Sequence, residues 1–244
     1  MPASAFPTTH WSMVLMAGDR TAPEARVALE KLCAEYWFPL YAYVRRWGRT
    51  HHEAEDLTQG FFATLLDREA VGRASPERGR FRTFLLSALR NFLTNEWEHA
   101  NAAKRGGGQG PLPLEFGDAE NQFAREPPAA GLTPEQAFDR SWALAQIERA
   151  LAELGDEYRA SGRGELFAAL APVVWGGGAQ ESLATQAARI GLNEGAIKVA
   201  VHRLRKRLRE RLEALIAQTV ADPAEAADEL RYLIAAVGRR GGGM

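Results

Sequence analysis

Apolar residues recur at three- and four-residue steps almost throughout this chain, and no stretch alternates convincingly at period two. A chain patterned in this way can bury its apolar side chains only along helices, so the expected fold class is all-α. The longest run carries Leu29, Leu32, Cys33, Tyr36, Trp37, Leu40, Val44 and Trp47, an amphipathic helix of about seven turns. Thr21 and Glu24 form a capping-box pattern at its start, with Pro23 suited to the first turn. Pro39 should kink this helix or break it in two. A second helix is expected from about His52 to Leu66, with Ala54, Leu57, Phe61 and Leu65 on one face. After the turn-rich VGRASPERGR, a third carries Phe81, Phe84, Leu85, Ala88, Leu89, Phe92 and Leu93, and that spacing makes the three phenylalanines core residues.

From Lys104 to about Thr133 the chain is rich in Gly and Pro and poor in periodicity, which is linker composition. The expected organisation is therefore two small helical domains, 21–104 and 134–218, joined by a flexible linker, 105–133. An N-terminal extension, 1–20, precedes them, and a C-terminal helix with a Gly-rich tail, 219–244, follows. The second domain opens on the capping signature Thr133-Pro134-Glu135-Gln136, followed by Phe138, Trp142, Ile147, Leu151 and Leu154 at helical spacing. A short helix over Leu166–Val174 should stop at Gly176-Gly177-Gly178, with further helices at about 181–190 and 194–218. Asp222-Pro223-Ala224-Glu225 caps a last helix, Leu230–Val237.

The 30 Lys and Arg nearly balance the 31 Asp and Glu, but they are not mixed. Residues 115–157 hold ten acids and three bases, whereas residues 196–211 hold seven Lys and Arg against the single acid Glu210. Segregated charge of this kind suggests a local polyanion-binding surface, since a merely solvated face would mix the signs. The basic run lies in a segment with helix-turn-helix logic. Ala187 is small where two helices would cross, Gly191 suits a turn with positive φ, and Ile197 packs back with Leu183, Ile190 and Leu192. Along the second helix Ile197, Val201, Leu204, Leu208, Leu212 and Leu215 form an apolar stripe. The bases fall outside it in two lines, one of Lys198, His202, Arg205 and Arg209, the other of Arg203, Arg207 and Arg211. An α-helix fits the major groove, its first residues reaching base edges while flanking cations hold phosphates. Asn193, Glu194, Lys198, Val199, His202 and Arg203 are placed for base edges, with Arg205 and Arg207 on the duplex beside them.

Other classes are disfavoured. A single cysteine, Cys33, forms no disulfide within the chain and fits a reducing cytosol. No apolar run approaches the roughly 20 residues of a membrane span, and the first residues lack a signal-peptide pattern, so a cytoplasmic location is expected. His52 and Asp56 share a helix face, but two ligands from one turn need others, and no second His/Cys cluster exists, so no metal site is expected. RGGGQG lacks the Lys-Ser/Thr of a phosphate-cradling loop. No nucleophile has a catalytic context, so neither an enzyme nor a cofactor is expected.

Two strings in the first half carry a family resemblance. Asp56-Leu57-Thr58-Gln59-Gly60-Phe61-Phe62 precedes, by a turn-rich loop, Gly79-Arg80-Phe81-Arg82-Thr83-Phe84-Leu85-Leu86-Ser87-Ala88-Leu89-Arg90-Asn91-Phe92. With a helix-turn-helix near the C-terminus, this order resembles bacterial RNA polymerase sigma factors of the extracytoplasmic-function type. The likeness covers about 24–104 (region 2) and 138–214 (region 4). It implies that Glu55, Asp56, Gln59, Phe62 and Leu65 dock on the clamp helices of the polymerase β′ subunit. It implies also that the segment Pro76–Arg82, with Arg80 and Arg82, and then Arg90, Asn91, Asn95 and Trp97, hold the separated strand of the −10 element. Guanidinium groups would grip phosphates there, with aromatic and amide groups on unpaired bases. The implied partners are core RNA polymerase, through its β′ clamp helices and β flap, and promoter DNA, with an anti-sigma factor as a further candidate and no membrane.

The chain departs from the family where EWEHANAAKR sets Glu96 and Glu98 among bases, which weakens phosphate attraction. Val199 and Ala200 stand where polar residues are frequent, so −35 readout rests more on Lys198, Asn193 and Arg203. A two-domain regulator acting on duplex DNA without polymerase is the alternative, as is a helical adaptor whose basic helix binds an acidic protein. The acidic stretch 115–157 has the charge to fold back and mask the basic helix.

Overall fold

The computed structural model describes residues 23–65, 80–102, 119–126, 131–175, 191, 193–220 and 222–238, and every regular element among them is helical. The helices are α1 (Pro23–Arg46), α2 (His51–Leu65), α3 (Phe81–Ala102), α4 (Ala119–Arg125), α5 (Pro134–Ala160), α6 (Gly164–Trp175), α7 (Glu194–Ala217) and α8 (Ala226–Gly238), with a 3₁₀ turn at Pro223–Glu225. The expected extension 1–20, the capping pair begun by Thr21, the loop containing Pro76, and the helix at about 181–190 with Leu183, Ala187, Ile190 and Leu192 lie outside the described residues. Contacts divide the chain into one unit of residues 1–144 and 216–244 and another of residues 145–215. Those divisions fall at 144/145 and 215/216, not in 105–133, and the last helix belongs to the first unit.

In the first unit α1 is continuous through Pro39, so the expected break does not occur. Proline removes one hydrogen bond from a helix, but Tyr36, Leu40, Tyr41, Ala42, Tyr43 and Val44 are all fully buried, so packing around this segment keeps it helical across the gap. Tyr36 meets Phe81 edge-on at 5.3 Å and stacks on Trp142 at 6.2 Å, while Tyr43 meets Phe138 edge-on at 6.3 Å. The next helix begins with a capping box: Thr50 N–H donates to Glu53 Oε2 at 2.8 Å and Glu53 N–H donates to Thr50 Oγ1 at 3.3 Å. Gly60 lets α2 approach α3, because a Cβ there would stand 3.2 Å from the Phe92 ring.

Helix α4 lies inside the stretch whose composition predicts a linker. Its local sequence is weak; its contacts are not. The Phe123 ring lies under the Arg45 and Arg46 guanidiniums, 5.2 Å from each, and Glu120 accepts from Arg45 Nη2 at 2.6 Å and Nε at 3.0 Å. Tertiary contact overrides composition here, since seven residues cannot hold a helix alone. The Arg45 hydrogen bonds, then the Tyr41 hydroxyl, hold the Glu120 carboxyl below the usual range. A depressed folded-state value means that this contact stabilises fully above the ordinary carboxylate range and is lost as pH falls through the lowered value. An NMR titration of Glu120 should give a midpoint below that of an unfolded-chain glutamate, and Arg45→Gln should move it back upward. An ordinary midpoint in the native protein would contradict the contact.

Helix α5 begins with the expected capping pair: Thr133 N–H donates to Gln136 Oε1 at 3.0 Å and Gln136 N–H to Thr133 Oγ1 at 3.2 Å. In the second unit Ile147, Leu154, Tyr158, Leu170, Ile197, Val201, Leu204 and Leu208 are buried and form the core between α5, α6 and α7. Gly191 has φ +69°, the left-handed turn expected of it.

Candidate nucleic-acid interface

Helix α7 turns its apolar stripe inward, burying Ile197, Val201, Leu204, Leu208 and Leu212, and this decides where its cations go. Lys198, His202, Arg203, Arg205, Lys206 and Arg209 are exposed, with Val199 among them. Arg207 and Arg211 are not equivalent to these. Both pair with the Glu157 carboxylate, Arg211 reaches Glu153 at 3.4 Å, and the Arg207 guanidinium lies over the Tyr158 ring at 5.2 Å. Arg207, expected on duplex DNA, is thus held by the protein's own acid. The last acids of the stretch 115–157 do meet the basic helix, but as neighbours in α5 that take two of the three bases, Arg207 and Arg211, in one of its lines.

The head of α7 is capped by Asn193, whose Oδ1 accepts the Ala196 N–H at 2.7 Å. The Glu194 side chain lies outside what the structure describes. Beside the cap a cleft of about 410 Å³ is lined by Tyr158, Arg163, Asn193, Val199 and Arg203 among others. Two guanidiniums beside a helix N-terminus make an electropositive pocket suited to a phosphate. Sequence reasoning missed Arg163, a turn residue outside any periodic pattern, whose guanidinium lies over the Tyr158 ring at 5.1 Å.

In the first unit, α2 presents Asp56 fully and Glu55 and Gln59 in part. Phe62 and Leu65, expected to dock on a partner, are 1 % and 4 % exposed and belong to the core. They share the inner face of α2 with Ala54, Thr58 and Phe61, so the surface expected for polymerase narrows to its polar residues.

Helix α3 divides its expected single-strand residues in the same way. Asn91, Asn95 and Trp97 are exposed, Trp97 by 61 %. Arg90 is exposed and lies 3.3 Å from Glu135. Arg80 is half-buried, 2.7 Å from Glu229. Arg82 is only 3 % exposed and cannot reach a nucleic acid. Its guanidinium pairs with Asp139 at 2.8 Å and with Glu229, and lies over the Trp142 and Tyr232 rings at 5.6 and 5.3 Å. All four partners come from elements that local sequence pattern cannot bring to α3, Asp139 and Trp142 from α5 and Glu229 and Tyr232 from α8.

Between α2 and α3 runs a groove of about 400 Å³. Phe61, Leu65, Phe84 and Phe92 give it apolar walls, and Thr64, Thr83, Ser87, Asn91 and Asn95 give it polar groups. That size and mixture are those of a small-ligand pocket. Phe81 is core as its spacing predicts, whereas Phe84 and Phe92 are only partly covered and line the groove. Thr64, Thr83 and Ser87 were not singled out by sequence, since hydroxyl residues on a helix surface carry no periodic signal.

An exposed cationic helix in one unit, and in the other a groove whose apolar walls carry amide and hydroxyl groups, have the chemistry of a helical protein that handles nucleic acid. Residues 35–102, which span most of α1 with α2 and α3, match the family model of Sigma-70 region 2. The match likens this segment, less than a third of the chain, to a domain of sigma-70 transcription factors. No curated protein and no solved structure matches the chain. Among the described residues no helix is long and apolar enough to cross a membrane.

Proposed function

We propose that this chain is a sigma factor of the extracytoplasmic-function type, which binds core RNA polymerase, recognises −35 and −10 elements and helps to open the DNA between them. The match of 35–102 to Sigma-70 region 2 carries this reading. Asp56, with Glu55 and Gln59, offers acidic and amide groups to basic clamp helices of the β′ subunit. The groove between α2 and α3 takes an unpaired base, its phenyl rings against the base face and Asn91 and Asn95 at its edge. Arg80 and Arg90 hold phosphates of the same strand, and Trp97 gives it a further stacking surface. Lys198, Val199, His202, Arg203 and Arg205 face the −35 duplex, with Asn193 and the head of α7 at the groove floor.

These roles separate in a single experiment on the full chain. Asp56→Lys places a like charge against the clamp and should weaken association with core polymerase about tenfold or more, with duplex binding unchanged. Unchanged polymerase association would remove the proposed surface on α2.

A further inference from the structure

A second cluster of groups meets at the head of α2. His51 and His52 open the helix, Glu55 lies one turn on, and Tyr41 and Glu120 reach the same place from α1 and α4. The hydrogen bonds fix where the proton on His51 sits. The Tyr41 hydroxyl donates to Glu120 Oε2 at 2.6 Å. A hydroxyl has one proton, so toward His51 Nδ1, 2.8 Å away, the same oxygen accepts. Nδ1 therefore carries hydrogen, and the lone pair of neutral His51 is on Nε2.

That lone pair faces a carboxylate. His51 Nε2 stands 3.5 Å from Glu55 Oε1, and His52 Nδ1 stands 3.7 Å from Glu55 Oε2. Ligand atoms of the three residues all lie within 4.8 Å of one another. Two atoms about 2.1 Å from a tetrahedral zinc ion are separated by about 3.4 Å. The two gaps to Glu55 thus have the width that a divalent cation fills, and a cation there converts lone-pair repulsion into coordination.

We infer that His51, His52 and Glu55 form a divalent-metal site of the zinc class, with Tyr41 and Glu120 as its outer support. Two imidazoles and a carboxylate suit zinc or cobalt and leave a fourth position for water. A carboxylate acting through a tyrosine on the far nitrogen of a ligand histidine fixes its tautomer and orientation. Glu55 also belongs to the face proposed to meet polymerase, so a bound metal would withdraw it from that face. This consequence rests on the proposed function; the site does not.

Titration of the untagged full chain with cobalt(II), followed by its visible d–d absorption, tests the site without polymerase. One equivalent should saturate at micromolar cobalt, be displaced by zinc, and be lost in His51→Ala and in His52→Ala. His52 is exposed, so loss of binding in its variant is separable from loss of fold by an unchanged circular dichroism spectrum. Glu120→Gln should weaken binding 10–100-fold. Absence of saturable binding at millimolar cobalt, or unchanged affinity in a His51→Ala/His52→Ala double variant, would overturn the site, and unchanged affinity in Glu120→Gln would overturn its outer support. Zinc should weaken association of the wild-type chain with core polymerase; equal association with and without zinc would overturn the shared role of Glu55 while the cobalt result stands alone.

Discussion

Glu229→Ala is expected to lower the stability of the first unit by about 3–5 kcal/mol, the cost of breaking a buried ion pair from one side. Glu229 is fully buried, and its carboxylate is paired with Arg82 and, at 2.7 Å, with Arg80. Without it the buried Arg82 guanidinium keeps only Asp139 as a charged partner, and Asp139 already accepts from the Tyr232 hydroxyl at 2.5 Å. The α8 backbone is tied in nearby, since the Phe81 N–H at the head of α3 donates to Thr219 O at 3.2 Å just before that helix. Urea unfolding reads the effect as a lower midpoint at unchanged slope. Replacing both partners with apolar residues, Arg82→Met with Glu229→Leu, should recover much of the loss. A cost under about 1 kcal/mol for Glu229→Ala would mean that the pair behaves as a solvated surface contact. Helix α8 lies outside the matched segment 35–102, yet it supplies the charge that Arg82 needs.

The salt dependence of duplex binding is expected to count the cations that α7 offers. Lys198, Arg203, Arg205, Lys206 and Arg209 are exposed, Lys206 and Arg209 pairing along their own helix with Glu210 at 3.8 Å and Glu213 at 2.9 Å, whereas Arg207 and Arg211 are held across to α5 by Glu157. Five phosphate contacts give a slope of log affinity against log salt of about −4.5, or a loss of about five-hundredfold between 50 and 200 mM salt. If Arg207 and Arg211 also left Glu157 for phosphate, the slope would approach about −6. Glu157→Gln frees both arginines and should steepen the slope and raise low-salt affinity. A slope near zero would show that the basic helix meets something other than a phosphate backbone.

The structure lies close to its sequence wherever the controlling interaction is local. The Thr133-Pro134-Glu135-Gln136 string is a helix start both as letters and as hydrogen bonds. Gly191 stands in the turn it was expected to make, and the apolar stripe of α7 buries as its spacing requires. What escaped was settled by distant partners. Pro39 is tolerated because its segment of α1 is packed into the core, and α4 forms because Phe123 and Glu120 find α1.

The candidate surfaces divide along the same line. Asp56, Asn91, Asn95, Trp97, Lys198 and Arg203 lie at the surface, where helical spacing puts them. Phe62 and Leu65 read as docking residues only because a family resemblance names the helix and not its faces; the apolar period places them inward. Arg82 reads as a phosphate ligand until two carboxylates from outside its helix enclose it. In the sequence His52 and Asp56 were set aside as a metal pair for want of further ligands; the structure instead brings His51 and Glu55 to His52. The missing support is Glu120, on a helix the composition did not predict.

The central claim, that this chain directs core polymerase to promoters, is tested most directly by reconstituted transcription. Core RNA polymerase lacking any other sigma factor should start at defined sites on genomic DNA from the source organism only when this chain is added, and Asp56→Lys should reduce those starts. Failure of the chain to associate with core polymerase at micromolar concentration, with no specific start above the core enzyme alone, would contradict the account.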